Sequence, residues 1–201
     1  MDSSIQNETL QLLAKKHFEE QTKTINKELQ EQLSDQFVYC ISETNSNLLM
    51  WAHYADKHQG AVIEFKCIPE IDNVFLAAEK VEYRESFPTL GAKEDWKPIL
   101  GRKNKIDPHK TYKELATTKS SHWSYEQEWR IFVPVKKDQG ENYSSIRITP
   151  PEVSALYLGC KMPEVNRGNL VALVREQFPH CKILQSHVSI DNFSVYFEKL
   201  N

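Results

Sequence analysis

The sequence predicts an α+β fold, with a mixed, largely antiparallel sheet and a few packed helices. Short runs rich in β-branched and aromatic residues recur along most of the chain, separated by Gly, Pro, Asn and Ser. Only four stretches carry apolar residues at helical three- and four-residue steps. The strand-like runs follow one another without a helix between each pair, which argues against regular βαβ winding. A chain of 201 residues with 40% hydrophobic and 26% charged residues has the balance of a folded domain. At that length it buries roughly 70% of its unfolded surface.

The elements follow in order. Residues 8–33 read as an amphipathic helix, with Leu10, Leu13, Ala14, Phe18, Ile25, Leu29 and Leu33 spaced for one face. Residues 1–36 are therefore an N-terminal helix and 37–201 a single α+β domain. The helix is either laid on the core or offered to a protein partner or a second copy. Phe37–Ser42 reads as a buried strand, and Asn47–His58 as a helix closed by Gly60. Ala61–Phe65, Val74–Ala77 and Lys80–Arg84 follow as strands. Residues 86–108 carry three prolines and two glycines and read as a loop. A helix near Pro108–Lys119 leads into a strand over Trp123–Val135. Strands near Tyr143–Ile148, Ala155–Gly159, Lys182–Ser186 and Ser194–Glu198 then surround a helix over Glu164–Gln177.

Charge and motif absences remove several function classes. A net charge of −3 does not suit a dedicated duplex-DNA binder. The N-terminus lacks a basic region followed by an apolar core, and the longest apolar runs are five residues, so a signal peptide and a membrane span are not expected. Cys40, Cys67, Cys160 and Cys181 are widely spaced within or beside apolar segments, a pattern that fits reduced, buried thiols in a cytoplasm. Neither a G-x-G-x-x-G nor a G-x-x-x-x-G-K-[ST] phosphate cradle is present. His53 and His58 are five residues apart, about 140° around a helix, so they do not form a chelating pair and no metal is expected.

Three segments carry candidate chemistry. In the first, Leu48–Gly60, a helical wheel groups Leu48, Ala52 and Ala55. It sets Trp51, Tyr54 and His58 within about 60° of one another, with His53 on the other flank. That stripe is either core or an aromatic wall for a nucleobase or nicotinamide. In the second, Trp123–Val133, strand alternation puts Glu126, Glu128 and Arg130 on one face, the two glutamates about 7 Å apart. This is either a solvated edge with a Glu128–Arg130 ion pair or an acid–base or ribose-binding pair, with Trp123 and Tyr125 walling a pocket. The third, Ala92–Lys119, has eight Lys/Arg against four acids, a local charge of +4, and ends at Lys119. It reads as a solvated loop or as a phosphate site for a nucleotide or RNA.

Cys40-Ile41-Ser42, Met50 through Gly60 and Trp123 through Arg130 match the hallmarks of one bacterial family. These are a C-[FI]-S strand, then M-W-x-H-Y-A-x-x-H-x-G, then W-x-Y-E-x-E-[WY]-R. By these motifs the sequence resembles the domain of unknown function 2971 family, and Leu156–Gly159 matches its weaker tail signature. The family's N-terminal part, with an F-N-D-P-F-D-like motif, has no counterpart in residues 1–36. The family is remotely similar to ADP-ribosyltransferase-like enzymes of bacterial conflict and phage defence, which bind NAD in a cleft of a mixed sheet. That similarity implies NAD as substrate, Glu128 as the catalytic carboxylate and Glu126 as its partner. It also implies that Trp51, Tyr54 and His58 line the base. The alternatives are a non-enzymatic nucleotide- or RNA-binding module and a structural or interaction protein.

Overall fold

A computed structural model describes residues 12–13, 15–17, 19–20, 23–24, 26–28, 30–31, 36–71, 73–88, 108–134 and 146–200. Among the described residues the strands are β1 (Gln36–Ser42), β2 (Ala61–Phe65), β3 (Glu79–Lys80), β4 (Glu82–Arg84), β5 (Thr118–Ser120), β6 (Glu128–Pro134), β7 (Val153–Leu158), β8 (Lys182–Val188) and β9 (Val195–Lys199). The helices whose two ends are described are α1 (Leu48–Tyr54), α2 (Pro108–Ala116) and α3 (Glu164–Gln177). The class is α+β, with antiparallel pairing outnumbering parallel. The chain divides into two compact units, the larger made of Tyr39–Val81, His122–Phe132 and the described part of the C-terminal stretch, residues 146–200.

The larger unit is built on the sheet β2-β7-β8-β9. Strand alternation sorts its side chains onto two faces. On one, Ala155 and Tyr157 of β7 join Val62, Leu184, Val195 and Phe197 and pack against Trp51 and Ala55. On the other, Leu156, Leu158 and Ile183 pack against Leu170, Val171, Val174 and Phe178 at α3. This β7 is buried along nearly its whole length because both of its faces are covered. Glu64 reaches along the first face, where its carboxylate accepts from Ser154 Oγ at 2.6 Å and from the Tyr157 hydroxyl. Burial, helped by that bond to Glu64, pushes the Tyr157 phenol up to about 12. A second sheet has the order β1-β6-β3, in which Lys80 pairs with Trp129 and Glu79 with Arg130.

The smaller unit contains β4, β5 and α2. Parallel pairing sets Tyr83 opposite Lys119. Arg84 bridges Glu82 at 2.8 Å and Glu114 at 3.0 Å, which raises its pKa. Tyr112 is buried, and its hydroxyl donates to Gln36 Oε1 at 2.9 Å. At the described positions between 12 and 31 the chain is helical and every side chain is exposed, Leu13 included. The other apolar positions expected to make that helix amphipathic lie outside the described residues.

Several sequence expectations change. Val74–Ala77 is a 3₁₀ turn, with Phe75 stacked on Phe65 at 4.8 Å. Trp123 begins no strand, because Ser121–Glu126 winds as 3₁₀ helix and β6 starts only at Glu128. Residues 146–148 are not strand, and 143–145 lie outside the described residues. β1 is largely exposed rather than buried, with Val38 45% and Tyr39 37% accessible. None of the four cysteines forms a disulfide, and none is buried: Cys40 and Cys67 are exposed, and Cys160 and Cys181 are half-buried.

Candidate functional site

The site begins with how α1 is fixed at its two ends. Asn47 caps its start, its side-chain oxygen accepting from the N–H groups of Leu49 at 2.9 Å and Met50 at 3.3 Å. The helix stops at Tyr54, four residues short of the sequence expectation. Asp56, Lys57 and His58 then take φ of 45°, 53° and 71°, three successive non-glycine residues in the left-handed region. Each costs roughly 1–2 kcal/mol and persists only where neighbours enforce it. The neighbours are backbone. Gly60 N–H donates to Ala55 O at 2.8 Å, Gly159 N–H to Gly60 O at 2.9 Å and Lys161 N–H to His58 O at 3.0 Å. A Cβ on Gly159 would lie 2.1 Å from His58 O, so only glycine lets the end of β7 approach this closely.

That geometry divides the aromatic residues of the segment. Trp51 is 1% exposed and packs in the core, its Nε1–H donating to Asn45 O at 2.6 Å. His58 stacks on it with 6.4 Å between centroids and 11° between planes. His58 is buried, and among the described residues its Nδ1 has no hydrogen-bond partner. Burial first, and the Lys161 charge second, push its pKa below the ordinary histidine value. Neither ring presents a free face to a ligand. Trp51 and His58 hold α1 and its turn on the sheet.

Tyr54 and His53 point the other way. Tyr54 is 63% exposed, and its hydroxyl donates to Glu126 Oε1 at 2.7 Å. The His53 ring lies 6.3 Å from that of Trp123, which lies 5.9 Å from that of Tyr125. Glu126 itself is 2% exposed. Ser42 Oγ donates to its backbone oxygen at 2.6 Å, and Glu43 N–H donates to Gln127 O at 3.1 Å, so the end of β1 holds the segment in place. The M-W-x-H-Y and W-x-Y-E motifs therefore meet through Tyr54–Glu126 and His53–Trp123.

Residues 50–131 match the model of the family described as Protein of unknown function (DUF2971). Over these residues the chain is similar to that family. The DUF2971 match opens in α1 and closes within β6, so it contains both motif blocks and the contact between them. No curated protein and no solved structure matches the chain.

Within the DUF2971 segment the two glutamates are separated by their backbone. Gln127 has φ of 47°, a left-handed kink between the 3₁₀ turn and β6. Glu126 and Glu128 are thus not neighbours on one strand face, as simple alternation would have it. Glu128 is 5% exposed and is gripped by Arg130, with Nε to Oε1 at 2.8 Å and Nη2 to Oε2 at 3.3 Å. Burial opposes the Arg130 charge. The bonds and attraction to Glu128, with Cys40 contributing, outweigh it and raise the pKa. Lys119 belongs to the smaller unit, and most of the basic stretch, 89–107, lies outside the described residues. Among the described residues no group of three His, Cys, Asp or Glu is arranged for a metal, and no helix is long and apolar enough to cross a membrane.

Sequence reading passed over Ser42, Gln127 and Gly159 as site-shaping residues. Ser42 stood within the quoted C-[FI]-S motif, a usable signal. Gln127 carried none, since a left-handed glutamine is not marked by its identity.

Proposed function

We propose that the His53–Tyr54–Trp123–Tyr125 face binds a nucleotide, and that the protein acts on NAD as an ADP-ribosyltransferase-like enzyme. The observation that carries this reading is the Tyr54 hydroxyl on Glu126, which joins a buried carboxylate to an exposed cluster of rings. Rings supply stacking area for a base, and a carboxylate accepts hydrogen bonds from ribose hydroxyls. As the bond from ribose C1′ to nicotinamide lengthens, positive charge develops on the ribose. A fixed carboxylate nearby stabilises that charge more than it stabilises bound NAD. Glu128 carries this role by the resemblance and Glu126 supports it. Bacterial conflict or phage defence is the setting the resemblance suggests.

Calorimetric titration with NAD, together with an assay for released nicotinamide, tests the reading. The expected outcome is saturable binding, with release slowed about a hundredfold or more in Glu128→Gln or Glu126→Gln. Unchanged release in both variants would remove the enzymatic reading, and absence of NAD binding would remove both parts. Binding without chemistry is the second reading. It is favoured by Arg130, which occupies both oxygens of Glu128. It predicts NAD or RNA binding with no nicotinamide release.

A further inference from the structure

The ring cluster carries information about the charge of its ligand. Its contacting pairs are all tilted: 66° for His53–Tyr54, 58° for His53–Trp123 and 38° for Trp123–Tyr125. A flat neutral base gains most from rings parallel to it. Rings set at these angles cannot all lie parallel to one plane. A cation is less demanding, because the negative face of each ring attracts it whatever the angle between the rings.

The charges nearby point the same way. Glu126 is buried next to the cluster and bonded to Tyr54, one of its members. Neither Leu48–Ala55 nor Ser121–Gln127 contains a lysine or arginine, so the two elements that supply the rings bring no dedicated partner for a phosphate. Arg130, farther along the chain, is ion-paired with Glu128.

We infer that this face selects a positively charged ligand head, an N-substituted pyridinium or a quaternary ammonium, over the neutral molecule of the same shape. The inference rests on reading the face as a ligand site and specifies what it discriminates. Applied to a nicotinamide dinucleotide, it makes the oxidised form, with its cationic ring, the bound one.

The test uses the full chain and two matched pairs of probes in calorimetric titrations: 1-methylnicotinamide against nicotinamide, and NAD against NADH. The cationic member of each pair is expected to bind about tenfold tighter or more. Trp123→Leu, at a partly exposed position, should abolish the preference, and Glu126→Gln should reduce it. Equal affinity within either pair, or tighter binding of a neutral member, overturns the inference. NAD and NADH binding equally would sink cation selection while leaving the nucleotide reading intact. A preference for 1-methylnicotinamide without any NAD binding would uphold cation selection and remove the nucleotide reading.

Discussion

Trp51 and Tyr54 stand three residues apart on one short helix, in one motif, and have opposite roles. Trp51 faces the sheet, with its indole N–H bonded to a backbone oxygen and its ring stacked on His58. Tyr54 faces outward, and its one polar atom is engaged by a buried glutamate from a segment more than seventy residues later. The inner side of α1 is a packing device that holds a strained left-handed turn. The outer side is the part that chemistry can reach. An aromatic residue in a recognisable motif thus says little about function until its helical phase relative to the core is known.

The comparison breaks most sharply on the inner side. Trp51→Ala should lower stability by about 3–5 kcal/mol through lost burial and the cavity left behind. Gly159→Ala should also cost several kcal/mol, since the added carbon meets backbone that cannot move away alone. Tyr54→Phe should cost only about 1 kcal/mol while weakening NAD binding. Denaturant unfolding and ligand titration on the same samples check all three. A stable Trp51→Ala that loses only ligand would reverse the assignment of the two sides.

A middle-sized effect is expected at the Glu128–Arg130 pair. Arg130→Met leaves a buried carboxylate without its partner and should cost about 3 kcal/mol, while adding Glu128→Gln should recover most of that loss. If the single variant is as stable as the double one, the pair does not act as a buried ion pair.

The smallest effect is the pH dependence of the inner side. His58 has a folded pKa below its unfolded value near 6.5, so its stabilisation is complete above that value. As pH falls from there towards the folded pKa, the unfolded chain takes up a proton that the buried ring refuses, and stability declines. His58→Phe keeps an aromatic ring against Trp51 but does not titrate. Thermal melts between pH 7.5 and 5 should show a shallower decline for this variant than for the parent chain.

Legibility followed the range of the interactions. The bounds of β2 and α3 could be read directly, since a compact β-branched run and a long helical period are local signals. Trp123–Glu126 could not, because aromatic and alternating residues satisfy a strand pattern while Ser42 and the left-handed Gln127 impose a turn. The early stop of α1 was equally hidden. It depends on Gly159, a hundred residues away, bonding to the turn that follows.

The α+β class, the two motif blocks and the residue types that could meet a ligand were all readable from the order of the amino acids. Those depend on local periodicity and side-chain chemistry. That Tyr54 reaches Glu126 while Trp51 and His58 turn inward, and that Glu128 is held by Arg130, emerged only from the folded chain. Those outcomes depend on backbone contacts between distant segments, which fix the phase of one helix and the kink before one strand, and no local pattern encodes them.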